Sequence, residues 1–345
     1  MKKFIRMVLL AAALISPALK AQEVTSILQV LDTKTGKIRV VQEFPYLIEA
    51  PNWTHDGKWL IYNTRGQIWR ISPDGGESTQ VPTGEVMGCN NDHVLSADGK
   101  QIAVSAQTAS LRGSRIFILP LEGGDPRLVT PQSPSYLHGW SPDGKTLCYC
   151  AERNGNYDVY TIPAAGGEET RLTTADDLDD GPEYSPDEKY IWFNSVRSGL
   201  MQVWRMRADG SDQRQMTFDE DLNSWFPHVS PDGKKVVFIA YHKGDLKPNE
   251  HLANKNVVLR MMTAKGKKVR TIHTLFGGQG TINVNSWAPD SRHIAFVSYR
   301  LPLPAVLPYI AVRFSRIGME WIAFFIGNPY LCKHIYQLRW TTRNI

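Results

Sequence analysis

The stretch WSPDGKTLCYC, residues 140–150, has the pattern of a tight turn that leads into a β-strand. Proline followed by Asp-Gly favours a sharp reversal, and alternating apolar residues are typical of a strand. The same pattern returns five more times, beginning at Trp53, Leu95, Tyr184, Val229 and Trp287. Most intervals between the repeats are about 42 to 45 residues, the period of a β-propeller with one blade per repeat. The sequence therefore predicts an all-β, six-bladed β-propeller.

Each repeat contains four short strand-like runs separated by glycine-containing turns, a pattern of consecutive hairpins. The last repeat, at Trp287, supplies only two such runs before residue 300. The segment SILQVLDTKTGKIRVVQ, residues 26–42, has the form of the two missing runs and the turn between them. We therefore predict that N- and C-terminal strands close the ring within the same blade.

The N-terminal segment has the features of an export signal. Lys2, Lys3 and Arg6 precede an apolar run at 7–15, and small residues follow as far as LKAQ. The apolar run is too short to span a bilayer, so the pattern predicts a cleavable signal peptide over residues 1–22. We expect the mature protein to be periplasmic, with no membrane span once the signal has been removed.

The C-terminal segment differs from the rest of the chain. Residues 23–300 account for six blades, whereas residues 301–345 have no repeat and a basic, apolar composition. Two interpretations stay open for this tail: a non-native or degenerate extension, and an interaction segment.

Composition excludes some classes of function. The net charge of +5 comes from the two terminal segments, so residues 23–300 are mildly acidic and nucleic acid is not an expected partner. The four cysteines, Cys89, Cys148, Cys150 and Cys332, lack the spacing of a metal site, and we expect them to be small buried hydrophobic residues.

The repeats resemble those of TolB, the periplasmic component of the Tol system. The resemblance rests on WSPDGK at 140–145, DVYTI at 158–162 and RLTT at 171–174, and it covers roughly residues 26–300. It implies a periplasmic β-propeller with a role in binding. The α/β domain that precedes the propeller in TolB has no counterpart between the signal and the first strand. A looser resemblance to oligogalacturonate lyase, whose site uses histidines and a metal at the propeller centre, implies an enzymatic alternative.

The repeat also carries polar residues that the turn does not require. Because the innermost strand of each blade lines the central channel, residues shortly before each turn are candidates for one mouth of that channel. Each blade supplies one candidate binding residue there: Asn52, His93, His138, Glu183, His228 and Asn285. Further polar residues lie close by in sequence: Asn90, Asn91, Asp92, Asp179, Asp180 and Asn283.

Histidine nitrogens and a carboxylate near one axis would suit a divalent transition metal or acid–base chemistry near neutral pH. The candidate metal ligands are His93, His138, Glu183 and His228. Neighbouring Trp225 and Phe226 could stack on a sugar or on a partner, and DDLDDGPEY at 176–184 carries enough carboxylates for calcium without the spacing of a calcium loop.

Two classes of function follow from these residues. The first is a non-catalytic binding propeller that presents its channel mouth to an envelope protein or a glycan, acting as a monomer. The second is a carbohydrate-active lyase or hydrolase with a His/Glu centre, which could contain a metal. The absence of a nucleophile motif favours the first class, and the histidines favour the second.

Truncation after Arg300 tests whether the tail contributes to folding. We expect the truncated protein to keep the melting temperature of the full chain within about 2 °C, because six blades are complete without the tail. Circular dichroism and thermal melts of both forms measure this. Loss of folding on truncation would show that the tail is part of the folded unit.

Overall fold

A computed structural model describes residues 24–302, 311–316 and 319–324, so the predicted signal peptide lies outside the described residues. The chain divides into two units, Met1–Leu301 and Pro302–Ile345. All regular structure in the described residues is β-strand, and no helix among them is long and apolar enough to cross a membrane. In the second unit, the described residues form one antiparallel hairpin of β24 (Ala311–Arg316) and β25 (Met319–Phe324).

The first unit is a six-bladed β-propeller, as predicted. The first three blades are complete four-stranded sheets. Blade one contains β3 (Glu49–Trp53), β4 (Leu60–Thr64), β5 (Gln67–Ile71) and β6 (Thr79–Val81). Blade two contains β7 (His93–Leu95), β8 (Gln101–Ala106), β9 (Arg115–Pro120) and β10 (Arg127–Leu128). Blade three contains β11 (Ser135–Trp140), β12 (Thr146–Arg153), β13 (Asn156–Pro163) and β14 (Thr170–Arg171).

The next two blades have the same order of strands. Blade four contains β15 (Asp179–Tyr184), β16 (Tyr190–Ser195), β17 (Gln202–Arg207) and β18 (Arg214–Gln215). Blade five contains β19 (Leu222–Val229), β20 (Lys235–His242), β21 (Lys255–Thr263) and β22 (Arg270–Gly277). Blade six contains β23 (His293–Arg300), β1 (Thr25–Asp32) and β2 (Ile38–Phe44), and Trp287 holds its innermost position through a single bridge to Ile294.

The repeated turn is held by its own side chains. In blade three, Ser141 Oγ donates to Asp143 Oδ1 at 2.6 Å, and the same carboxylate accepts the backbone N–H of Lys145 at 3.0 Å. Thr146 N–H then donates to Ser141 Oγ at 2.9 Å, which fixes the start of the second strand. The corresponding hydroxyl–carboxylate pairs recur in blades one, two, four and five. The conserved spacing of the turn thus sets the register between the first two strands of each blade.

Ring closure follows the predicted arrangement. Strand β1 pairs with β23 over its full length, from Thr25 opposite Arg300 to Asp32 opposite His293, and pairs with β2 on its other side. The last residue of β1 is anchored further, since Asp32 accepts two hydrogen bonds from Arg292, at 3.0 and 2.6 Å. The first strand of the chain is therefore an interior strand of the last blade.

Apolar side chains fill the spaces between neighbouring blades. One cluster joins blade six to blade one and contains Leu28, Ile48, Tyr62 and Val297, all completely buried. Three of the four cysteines are described, and they are buried free thiols as expected. The apolar faces of a blade thus pack mainly against its two neighbours, so the ring needs the closing strand to cover the exposed face of blade one.

Leu28→Ala should destabilise the whole propeller. Removal of this fully buried side chain leaves a cavity between blades six and one, and we expect a loss of about 2 to 4 kcal/mol in the free energy of unfolding. Val40→Ala, on the adjacent strand β2 and exposed, is the matched control and should change stability by less than about 0.5 kcal/mol. Urea denaturation measures both. Equal effects of the two changes would contradict a structural role for strand β1.

Candidate functional site

A cavity of about 950 Å³ lies on one face of the propeller. The connections that line it either lead into the innermost strand of a blade or join its second and third strands. Each blade or the connection that leads into it supplies lining residues, among them Glu49, Asp92, His138, Asp180, Phe226 and Asn283. The cavity is therefore at one mouth of the central channel, as the sequence predicts, and we call this side of the propeller the mouth face.

The residues that line the cavity are not the predicted set. Of the six candidate binding residues, only His138 lines it. Five of the neighbouring polar residues also lie in the wall, namely Asn90, Asn91, Asp92, Asp180 and Asn283. The other five candidates are Asn52, His93, Glu183, His228 and Asn285, and they take part in buried contacts instead.

A shared bulge in the innermost strands of three blades explains this difference for Asn52, Glu183 and His228. In blade one, Glu49 pairs with Asn63 and Asn52 pairs with Ile61, so one strand has an extra residue. The same irregularity separates Asp180 from Glu183 in blade four and Trp225 from His228 in blade five. The residue after the first of each pair has positive φ: Ala50 at 55°, Gly181 at 62° and Phe226 at 52°.

The bulge separates two layers of polar residues. Residues at its start, such as Glu49 and Asp180, line the cavity, whereas residues three positions later are buried outside its wall. Only glycine adopts positive φ freely, so the conformation of Phe226 is strained and must be held by its surroundings. Its N–H donates to Asn194 Oδ1 at 3.0 Å, and its ring stacks on His138.

The bulge also left a signal in the sequence. A proline follows the positive-φ residue in all three blades, within APNW at 50–53, GPEY at 181–184 and FPHV at 226–229. Alternation predicts a regular strand at these positions and therefore selects residues three positions after those at the start of the bulge. The repeated proline, which is found within sheets mainly at bulges and edges, is the sequence signal for the bulge itself.

Glu183 and His228 form a closed hydrogen-bond network. Glu183 Oε2 lies 2.7 Å from His228 Nδ1, and Glu183 Oε1 accepts from Asn285 Nδ2 at 2.7 Å and from Val229 N–H at 2.8 Å. The other ring nitrogen of His228 donates to the carbonyl oxygen of Ile282 at 2.6 Å. Asn52 extends the network to blade one by donating to Asn285 O at 2.6 Å. These residues use their polar atoms to join blades four, five, six and one.

The four predicted metal ligands do not form a donor set. His228 and Glu183 are engaged with each other, and His93 is completely buried outside the cavity wall. Burial lowers the pKa of His93 to about 4, so its ring is neutral at pH 7. Within the described ranges, no group of three or more His, Cys, Asp or Glu side chains is placed to hold a metal ion. We derive no chemistry that needs a metal here.

A buried ion pair between His138 and Asp180 lies in the cavity wall. His138 Nε2 is 3.1 Å from Asp180 Oδ1, and both side chains are more than nine-tenths buried. Burial opposes protonation of His138, but the charges of Asp180 and Asp92 outweigh it and raise the pKa of the imidazole to about 9. Burial likewise opposes ionisation of Asp180, and the attraction of His138 lowers the pKa of this carboxyl to about 2. The pair is therefore ionised at neutral pH.

The lengthened connection of blade five brings a second histidine to the cavity. His251 lies in the 242–256 segment, and its ring packs on Trp225, 4.5 Å between centroids, and on Phe226. Its Nε2 is 3.8 Å from Asp180 Oδ2. Burial lowers the pKa of His251, although Asp180 acts in the opposite direction. Trp225 thus has a packing role, whereas Phe226 is part of the wall.

Two further carboxyl groups in the wall are desolvated. Burial raises the pKa of Asp92 to about 6, with His138 opposing the shift and Asp180 adding to it. Burial also raises the pKa of Glu49, which accepts hydrogen bonds only from the amides of Asn63 and Asn91. Glu49 had no sequence signal other than the proline bulge, because it lies outside the turn repeat.

The acidic segment at 176–184 does not gather its carboxylates into one calcium site. Asp179 pairs with Arg197 at 2.6 Å, whereas the next residue, Asp180, pairs with His138. Asp177 accepts from Asn249 Nδ2 at 3.2 Å. These three carboxylates have three different partners, so the segment is an acidic blade connection whose last aspartates are buried.

These features define a six-bladed β-propeller with a ligand-sized, acidic cavity at one mouth of its axis. The family model of the TolB beta propeller domain matches residues 113–261. An uncharacterized protein of Agrobacterium fabrum is 45% identical over 275 residues, which are 79% of this chain and 92% of that protein. The chain belongs to the family of TolB-like β-propellers.

Solved structures agree with this assignment. A protein of Agrobacterium tumefaciens, provisionally called TolB, is 44% identical with a TM-score of 0.77, and the match covers 81% of this chain and all of that one. TolB from Acinetobacter baumannii is 19% identical with a TM-score of 0.59, over 79% of this chain and 69% of that one. The second similarity supports the fold alone.

Replacement of Asp180 by Asn should lower the pKa of His138. Burial lowers the pKa of the His138 ring, and the negative charges of Asp180 and Asp92 raise it. Without the Asp180 carboxylate less of this increase remains, so we expect the pKa to fall by about one unit or more from its value of about 9. Histidine NMR titration of both proteins measures the shift. His273 on β22, outside the cavity wall, is the internal control and should not change. A His138 pKa that stays near 9 in the variant would contradict the ion-pair explanation.

Proposed function

We propose that this chain is an exported, non-catalytic propeller that binds a protein partner through its mouth face. The observation that carries the proposal is the coincidence of the cavity and exposed apolar side chains on the same face. Large exposed hydrophobic residues are uncommon on the described surface, and five of the nine lie in connections of the mouth face: Leu47, Met87, Leu111, Phe218 and Leu252.

The position of these five residues favours a macromolecular partner. Leu47 and Met87 precede the innermost strands of blades one and two, and Leu252 lies beside His251 in the long connection of blade five. Phe218 is the most exposed of them, at 76%. Exposed apolar side chains that collect on one face of a protein are typical of sites of protein association.

The polar network beneath the cavity supports the non-catalytic part of the proposal. Glu183 and His228 are the residues that the sequence suggests as a His/Glu catalytic centre. In the structure they use their hydrogen bonds for contacts between blades. Export is supported by the basic and apolar pattern of residues 1–22.

A carbohydrate-active enzyme is the second candidate, favoured by the perturbed pKa values of Asp92 and His138 in one cavity. The acidic wall would accept a neutral glycan and repel a uronate. Release of reducing ends from neutral polysaccharides by the wild-type protein, and its loss in Asp92→Asn, would replace the binding proposal with this one.

Site-specific photo-crosslinking tests the binding proposal. A photoreactive phenylalanine at position 87 or 218 should form adducts with a discrete protein in cells, because both positions lie on the mouth face. The same residue at position 40 or 128 is the control, since Val40 and Leu128 are also exposed but lie on outermost strands. Gel shift and mass spectrometry identify the adducts. Equal crosslinking at all four positions, or none at the first two, would contradict the proposal.

A further inference from the structure

The carboxylates of the cavity lack the cationic partners that buried carboxylates have elsewhere in this chain. Outside the cavity, an arginine from the same sheet lies close to each of several partly or fully buried acids. Asp158 pairs with Arg171 at 2.5 Å, Asp179 pairs with Arg197 at 2.6 Å, and Glu169 pairs with Arg153 at 2.6 Å. The blade therefore normally supplies its own guanidinium to a desolvated carboxylate.

The cavity departs from this rule. Five carboxyl groups line it, and no lysine or arginine does so among the described residues: Glu49, Asp92, Asp176, Asp177 and Asp180. Glu49 and Asp92 have amide partners instead, with Asn90 Nδ2 2.8 Å from Asp92 Oδ2. The single cation supplied by the wall at neutral pH is His138, which pairs with Asp180 and also attracts Asp92. One imidazolium is shared by these two acids, and Glu49 has only amide partners among the described residues. A desolvated carboxylate that lacks a cation of its own is costly, so a cationic ligand would be stabilised here.

A second observation concerns the other nitrogen of His138. Its Nδ1 is buried and has no hydrogen bond of good geometry, although the backbone of Asn283 lies near enough to favour the protonated ring. Because Nε2 faces Asp180, an N–H at Nδ1 is a donor with one poorly placed acceptor, and a carbonyl oxygen of a ligand could complete its hydrogen bonding. The wall of the cavity thus needs a cation for its acids and leaves its imidazole incompletely hydrogen-bonded.

The aromatic part of the wall suits the same ligand. Tyr136, Tyr157 and Phe226 line the cavity beside the acids. Aromatic faces attract ammonium and guanidinium groups, and they also pack on the aliphatic part of a long basic side chain. A lysine or arginine residue in a peptide combines a cation, an aliphatic stem and a backbone carbonyl within a few bonds.

We propose that the cavity receives a lysine or arginine side chain from an extended segment of the protein partner. The carboxylates of Glu49 and Asp92 face the cation, and His138 faces the backbone carbonyl of the same segment. This inference rests on the proposed function, since it names the chemistry of the partner that the mouth face binds.

Two capped amino acids that differ in charge test the inference. Acetyl-arginine amide carries a guanidinium, and acetyl-citrulline amide has nearly the same shape without the charge. We expect the arginine probe to bind the full chain about tenfold more tightly, because a charge-assisted hydrogen bond replaces a neutral one. Saturation-transfer NMR titration measures both dissociation constants at a common ionic strength. Equal binding of the two probes, or no binding of the arginine probe, would overturn the inference.

Variants locate the binding in the cavity. Asp92→Asn and, independently, Glu49→Gln should each weaken the arginine probe about fivefold or more and leave the citrulline probe unchanged. Glu77→Gln is the matched control, because Glu77 is exposed between β5 and β6, away from the cavity wall. Thermal melts confirm that each variant is folded. If Asp92→Asn does not fold, the test rests on Glu49→Gln. Weakening by Glu77→Gln equal to that of both cavity variants would show non-specific attraction and overturn the inference.

The outcome separates this inference from the proposed function. One outcome is that positions 87 and 218 crosslink and the two probes bind equally. A protein partner would then bind the mouth face, but it would not place a basic residue in the cavity. Selective binding of arginine without crosslinks would instead assign the cavity to a free cationic molecule and contradict the protein partner.

Discussion

The pairing of strand β1 with β23 is the constraint on which the rest of the molecule depends. The apolar faces of a blade pack mainly against its neighbours, so an open arc of five blades would expose the apolar faces of the first and last ones. Strand β1 enters blade six as an interior strand, and its Leu28 packs with Ile48 and Tyr62 in one cluster. Closure also brings the inner edges of all six blades to a common axis, and this convergence creates the cavity.

The bulge in the innermost strands of blades one, four and five sets what these blades present to that axis. In blades one and four, an extra residue with positive φ, followed by proline, separates a residue in the cavity wall from a buried polar residue three positions later. In blade four these are Asp180 and Glu183. The first ionises beside His138 in the wall, and the second joins blades four, five and six through His228 and Asn285. The bulge thus separates side chains that line the cavity from side chains that hold the blades together.

The fold could be predicted from the sequence because the turn repeat has a fixed period and fixes its own register through Ser141, Asp143 and their equivalents. The closing strand followed from counting the strands of the last repeat. The site was predicted only in part. Alternation selected residues close to the mouth of the channel, but it cannot locate a bulge, and for this reason Asn52, Glu183 and His228 lie in the layer beneath the wall. His251 could not be predicted, because the path of a long connection depends on tertiary packing against Trp225.

The distribution of charge, more than the fold, determines which kind of ligand the cavity favours. Where a carboxylate serves stability, as Asp179 and Glu169 do, the same blade provides an arginine at hydrogen-bond distance. Where carboxylates line the cavity, the wall supplies amides, aromatic rings and one imidazolium. A set of acids held without cations raises the free energy of the empty site, and a bound cation would lower it. The elevated pKa of Asp92 has the same origin, since protonation is the other means by which the empty cavity can remove a desolvated charge. The proposed basic side chain and a proton would therefore compete for the same carboxylate, and acidification should weaken binding of the proposed partner at this point of contact.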